Sequence, residues 1–418
     1  MTAPHLPAPR FSAERAAAAV AEFDLRRLPR DFYENPFPYY HALREIDPVR
    51  RMPDGSYLLT RYDDCVAAYR DPKTFSSDKK VEFKPKYGDS LLYEHHTTSL
   101  VFNDPPYHTR VRRLIAGALT QRAIADMEPG LVALVDRLLD EAAQRRRIDL
   151  IEDFASAIPV EIIGNLLGVP HADRGPLREW SLAILGALEP VLTPDQLERG
   201  NRSIADFLVY LRELVAHRRA HPGNPERDVL TRLIQGEADG EKLTENELHQ
   251  NCIFLLNAGH ETTTNLIGNG LVALLEWPQE RARLIADPDL IKTAVEELLR
   301  FESSNQLGNR ITTTDAEIGG VKMPPGTQIT IAIGAANRDP AQFADPDRLD
   351  LARNPNRHLA FAFGIHQCAG LSLARLEGRI AIGRFLQRFP RYAAAGTPVR
   401  GGRARFRGFL SVPVEVAP

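Results

Sequence analysis

Residues 358–370 read HLAFAFGIHQCAG, and residues 371–386 continue LSLARLEGRIAIGRFL. The second segment has helix-forming composition and apolar spacing, so Cys368 falls on a glycine-flanked loop at a helix N-terminus. There its sulfur meets several backbone N–H groups and the positive end of the helix dipole, both of which favour a thiolate. Gly364 and Gly370 let backbone come close to a flat ligand, and Phe361 offers an aromatic face beside the sulfur. A thiolate so placed can ligate iron. A lone cysteine is more often a small buried hydrophobe, so the reading turns on what else the chain carries.

The chain has 418 residues, 43% of them hydrophobic and 26% charged, the composition of a soluble globule able to bury a large core. No shift in composition marks a seam, so one fold over residues 1–418 is expected. A formal charge of -3 is small for this size and argues neither for nucleic-acid binding nor for a membrane surface, so neither partner is expected. Residues 1–23, MTAPHLPAPRFSAERAAAAVAEF, hold no bilayer-spanning stretch and no signal-peptide core, which predicts a cytoplasmic protein. Cys65, Cys252 and Cys368 stand far apart, so neither a disulfide framework nor a four-thiolate metal site can be built.

Helical periodicity dominates. Residues 12–23, 127–146, 204–219 and 251–271 predict helices. Strands are expected at 57–60 and after 310, where AEIGGVKM places Gly319 and Gly320 as a two-residue hairpin turn. Pro324, Pro325 and Gly326 turn the chain again before TQITIAI. Residues 221–228 and 76–100 show no periodicity and predict loops, the second long enough to have a function. The expected class is mainly α, with small sheets flanking the helices.

Residues 251–271, NCIFLLNAGHETTTNLIGNGL, are apolar nearly all round and belong in the interior. Ala258 and Gly259 give minimal bulk, and Glu261-Thr262 sets an acid beside a hydroxyl. A glycine and three successive threonines predict a helix that loosens here. Such a pair can pass protons inward to dioxygen.

Taken together these segments resemble the cytochrome P-450 family over nearly the whole chain. Phe361, Gly364, His366, Cys368 and Gly370 match its haem-binding signature, with Ala362 where Gly or Ser is more usual. AGHETT at 258–263 is similar to its oxygen-activation motif. Glu297-Leu-Leu-Arg300 with Arg353 resembles its buried Glu-Arg-Arg cluster. His108 and Arg112, four apart in DPPYHTRVRR, share a helix face after Pro105-Pro106 and resemble its propionate-holding pair, alongside Arg310 and His366. The resemblance implies haem b buried between the long central helix and the cysteine loop, with Cys368 on the iron and Ala258 and Gly259 against the macrocycle. It implies O2 activation by Glu261 and Thr262, and insertion of one oxygen atom into a small organic molecule by hydroxylation or O-dealkylation. Electrons would come from NAD(P)H through a ferredoxin reductase and a ferredoxin, docked on Arg110, Arg113, Arg357 and Arg375.

By the same resemblance Phe254, Asn257, Ala258, Gln306, Leu307 and Phe409, with residues 76–100, wall the substrate pocket. Ser304-Asn305 stands where the family commonly has Pro-Val, and Asn257, Asn305, Gln306 and Asn309 make an unusually polar set. A buried amide without a partner costs about 1–3 kcal/mol. With Lys79, Lys80, Lys84 and Lys86 over the mouth, this points to an oxygenated or carboxylate-bearing substrate, for example an aromatic acid. The alternative is that the lysines are solvated and the amides pair with one another. Other functions compatible with the residues are a peroxide-driven haem-thiolate catalyst, which the Glu261-Thr262 pair disfavours, a non-catalytic haem sensor, and a haem-free binding module.

Overall fold

The computed structural model describes residues 10–226, 228–238 and 241–417. Its axis is the helix Glu245–Glu276, longer than residues 251–271 because a capping box sets its start. The Thr244 hydroxyl accepts from Glu247 N at 3.2 Å, and the Glu247 carboxylate accepts from Thr244 N at 2.9 Å, satisfying two N-terminal donors. Around it pack Ala157–Leu167, Leu177–Gly186, Ile291–Phe301 and Leu371–Arg388, so it is buried on most sides as its composition predicts. The helix expected at 12–23 spans Ala13–Glu22, and those expected at 127–146 and 204–219 begin earlier, at their caps. Gln121–Arg145 starts at Thr120, and Pro194–Ala220 starts at Thr193, which forms a second capping box with Gln196.

A five-stranded sheet lies beside the helices, in the order Val49–Arg51, Tyr57–Leu59, Gln328–Ala332, Leu307–Thr312, Phe75–Ser76. Tyr57–Leu59 runs parallel to Gln328–Ala332, with Leu58 opposite Thr330. Gln328–Ala332 runs antiparallel to Leu307–Thr312, with Ile329 opposite Arg310. The Ala316–Ile318 and Val321–Met323 hairpin turns at Gly319 and Gly320, whose φ values of 57° and 80° are those a primed turn needs.

One expectation is overturned. Residues 76–100 are not a loop; they hold the helices Lys80–Tyr87 and Leu91–Thr98, which bury Phe83, Tyr87, Leu92, His95 and His96. The apolar period is cut by Pro85 and by Gly88, whose positive φ ends the first helix before Ser90 caps the second. Residues 221–226 carry no helix or strand, as expected. Among the described residues no helix is long and apolar enough to cross a membrane.

Candidate active site

Cys368 sits where the sequence predicts, ahead of the helix Leu371–Arg388 with Gly370 at its N-cap. Cys368 N donates to Phe361 O at 2.9 Å, closing the loop on itself. Ala362 and Gly364 both take positive φ, and a Cβ on Gly364 would stand 2.4 Å from Tyr69 O, so glycine is required there. Arg112 Nη2 donates to Gln367 O at 2.6 Å and ties the loop to the helix Tyr107–Ala118. Burial pushes the Cys368 thiol up, against the Gly370 N–H, Arg112 and Arg375, which pull it down. The loop therefore does not ionise the sulfur by itself; a coordinating metal ion would.

The loop is braced from behind. Arg300 Nε and Nη2 each donate to the Glu297 carboxylate at 2.7 Å, both side chains being fully buried. Arg353 Nε reaches the same carboxylate at 3.1 and 3.2 Å, and Asp350 N and Asn356 Nδ2 also donate to it. Arg300 Nη1 continues to Asn337 O at 2.9 Å, and Asn337 Oδ1 accepts from Leu359 N at 2.7 Å, where the cysteine loop begins. The expected cluster is thus present, and it joins the helix Ile291–Phe301 to the segment carrying the cysteine.

Cys368, Phe361 and Gly370 face a cavity of about 340 Å³, and Ala258, Gly259 and Thr262 of the central helix line it too. Gly259 serves packing as well as space: a Cβ there would stand 2.4 Å from Ile163 Cδ1. His108, Arg112, Arg310 and His366 converge on the same cavity. The two imidazoles lie 4.1 Å apart, and both ring nitrogens of His108 and Nε2 of His366 are buried without partners. Burial first, then the neighbouring cations, hold His108 down at about 4 and His366 at about 2. Asp104, which acts on His108 and Arg310, is itself engaged by Ser76 and by Ser77 N. Unpartnered donors and guanidinium groups call for an anionic ligand. A cavity with a thiol, an apolar wall, a hydroxyl and this basic edge fits haem and its propionates.

Glu261 and Thr262, expected to act as a pair, are divided between two cavities. Thr262 Oγ1 faces the large cavity and donates to Ala258 O at 2.8 Å, while the helix runs unbroken instead of loosening. Glu261 lines a second cavity of about 30 Å³ with His260, Asn265 and Arg403. Burial pushes Glu261 up to about 7, although Arg403 pulls it down.

Phe254, Asn257, Ala258 and Leu307 line the large cavity as expected, but Gln306 and Phe409 do not. Gln306 turns away, its Nε2 donating to Ser303 O at 2.6 Å, and Phe409 lies under the Arg400 guanidinium at 3.8 Å. The antiparallel bridge between Asn305 and Phe406 brings Phe406 to the wall in place of Phe409. The four lysines also miss the cavity. Lys80 and Lys84 are exposed and paired with Asp78 and Asp89, whereas Lys79 is buried on Glu82 at 2.5 Å and Lys86 donates to Glu189 O at 2.6 Å. Of the four arginines expected to dock a ferredoxin, Arg110 pairs with Glu247 and Arg375 with Glu296. His95 and His96 line the cavity from the expected 76–100 segment, whereas Arg405 was not singled out; its only signal was the density of arginine in 400–407.

Residues 185–394 match the family model described as Cytochrome P450. The chain is 37% identical over 366 residues to the biotin biosynthesis cytochrome P450 of Bacillus subtilis (strain 168), covering 86% of this chain and 90% of that one. It is 38% identical over 395 residues to the vitamin D(3) 25-hydroxylase of Pseudonocardia autotrophica, with 93% and 95% covered. The crystal structure of P450BioI in complex with hexadec-9Z-enoic acid ligated acyl carrier protein superposes with a TM-score of 0.88 at 36% identity, over 93% of this chain and 99% of that chain. With such similarity along almost its whole length, and a thiol-bearing cavity that fits the cofactor, the chain belongs to the cytochrome P450 family and is a haem-dependent monooxygenase.

Proposed function

We propose that Cys368 is the proximal iron ligand and that the enzyme oxidises a small oxygenated or carboxylate-bearing organic molecule, using NAD(P)H electrons delivered by a ferredoxin reductase and a ferredoxin. The observation that carries this reading is that Cys368 and Thr262, from two separate elements, line one cavity with four basic side chains. A structurally similar P450 that holds hexadec-9Z-enoic acid ligated to acyl carrier protein supports a substrate with an apolar body and an oxygenated end.

In this reading His108, Arg112, Arg310 and His366 would hold the propionates, with Phe361 and Gly370 beside the sulfur and Ala258 and Gly259 against the macrocycle. Bound there, a thiolate-ligated haem supplies reductive activation of dioxygen and insertion of one oxygen atom into a C–H bond. The apolar walls keep water out and hold the substrate. The Thr262 hydroxyl donates its proton to Ala258 O, which leaves its oxygen free to accept a hydrogen bond in the cavity. Glu261, poised near neutrality, exchanges protons with solvent behind the helix. The Glu297, Arg300 and Arg353 cluster keeps the cysteine loop in register.

The test is the spectrum of the reduced, carbon-monoxide-treated protein, followed by turnover with NAD(P)H, a surrogate ferredoxin pair and isotopically heavy dioxygen. The expected results are a thiolate-type band that Cys368→Ala abolishes, and one heavy oxygen atom in the product. An unchanged band in Cys368→Ala, or product formed only from hydrogen peroxide, would sink the reading.

A further inference from the structure

Arg405 is a partly buried cation on the wall of the large cavity. Its backbone is clamped by a buried carboxylate: Glu189 Oε2 accepts from Ala404 N at 2.8 Å and Glu189 Oε1 from Arg405 N at 3.1 Å. Its side chain is aimed by neutral acceptors. Nε donates to Leu188 O at 3.1 Å, Nη1 to Leu307 O at 2.9 Å, and Nη2 to Asn309 Oδ1. A guanidinium has five N–H donors in a fixed fork. Three are engaged, one on each nitrogen, which leaves one on each of the two terminal nitrogens. Two N–H donors left on different nitrogens can serve the two oxygens of a carboxylate.

The charge around it is also unbalanced. Among the described residues no carboxylate lies within ion-pair distance of the Arg405 guanidinium. The acids that act on it are Glu189, held by backbone N–H groups, and Glu82, paired with Lys79. Lys79 and Lys86 are cations that act back on Arg405. The Arg405 guanidinium is thus held by neutral acceptors, with Lys79 and Lys86 as further cations acting on it. A buried charge without a counter-ion is costly, and an anionic ligand removes that cost. His96, on the same cavity, has a buried Nε2 without a partner and can donate a further hydrogen bond. Ile163, Leu166, Leu185 and Phe254 give the remaining wall an apolar character suited to an alkyl or aryl body.

We infer that Arg405 is the specificity-determining residue of this cavity and that it anchors the carboxylate of an amphipathic acid. This rests on the monooxygenase reading and names the substrate class within it. The lysines singled out in the sequence are not the anchor; two of them form the buried positive surround of the residue that is.

The experiment titrates the ferric holoenzyme with dodecanoate and dodecanamide, and with para-ethylbenzoate and para-ethylbenzamide, following the haem absorbance. In the native enzyme at least one acid binds roughly tenfold or more tightly than its amide. Arg405→Gln and Arg405→Leu erase that preference while keeping haem and the carbon-monoxide spectrum. If both variants misfold by circular dichroism, Arg405→Lys, which keeps charge but loses the fork, is expected to reduce the preference without abolishing it. Equal affinity for acid and amide, no spectral shift with either acid, or an unaltered preference in a folded variant overturns the inference. A folded Arg405→Gln without haem also overturns it, because the residue would then be a cofactor ligand. A native enzyme lacking the thiolate-type band would instead refute the reading on which the inference rests.

Discussion

Arg403 Nη1 stands 2.7 and 2.8 Å from the two carboxylate oxygens of Glu261, in a cavity that Cys368 does not line. The acid next to Thr262 in sequence is therefore held behind the helix by a residue from the far end of the chain. Burial pushes Glu261 up to about 7 and Arg403 opposes that rise. Removing the cation in Arg403→Gln raises the Glu261 pKa further, so more of the acid is protonated at neutral pH. The pH profile of product formed per NAD(P)H consumed should move toward higher pH by about one unit, and Glu261→Gln should flatten that limb. An Arg403→Gln profile superimposable on that of the native enzyme would show that the pair does not govern proton entry.

Glu297 accepts from two arginines, one asparagine amide and one backbone N–H, and is fully buried. Glu297→Ala leaves the Arg300 guanidinium uncompensated in the interior, a loss of about 3–5 kcal/mol. Because Arg300 also anchors Asn337, which fixes Leu359 N, the damage reaches the cysteine loop. We expect a lower unfolding midpoint together with poor haem retention. Retention unchanged in a destabilised variant would separate the cluster from the loop it braces.

The parts of the site legible in the sequence are those written in local spacing. His108 and Arg112, Glu297 and Arg300, and the residues 361–370 each lie within one or two turns of chain, so helix or loop geometry alone brings their side chains together. Contacts closed across the fold were hidden. Arg403, Arg405 and Arg407 alternate along one short segment, yet they meet Glu261, Asn309 and Glu302, acceptors from three different elements. A run of charge ordinarily faces solvent; only the packing of the 400–407 segment against the central helix and the sheet buries it. Residues 76–100 failed for another reason: two short helices interrupted at Pro85 and Gly88 leave too few turns for a period to register.

Glu377, on the helix Leu371–Arg388, is buried, and its Oε1 has no partner. Burial alone pushes its carboxyl from 4.5 up to about 8. Between those values the folded protein keeps a proton that the unfolded chain gives up, so this group makes stability fall as pH rises. The limiting slope is about 1.4 kcal/mol per pH unit. Glu377→Gln carries no such proton, and its stability relative to the native enzyme should grow steadily as pH rises through that window. Denaturant titrations of both proteins at several pH values measure this; a difference independent of pH would mean that the carboxyl is solvated or paired in the holoenzyme.

Phe406 lines both cavities, standing between the space beside Cys368 and the small chamber that holds Glu261. It is buried, and the Asn305 bridge holds its backbone just ahead of the strand Leu307–Thr312. Truncation to alanine joins the two spaces and gives water behind the helix a direct route to the reacting centre, where exclusion of water prevents side reactions. Phe406→Ala should therefore consume NAD(P)H at an undiminished rate while releasing more hydrogen peroxide and less product, and Phe406→Leu should fall between it and the native enzyme. Stability should drop as well, by about 3–5 kcal/mol for the alanine variant, so turnover is compared well below its unfolding midpoint. Full coupling retained in a folded Phe406→Ala would mean that the partition between the chambers is made by other side chains.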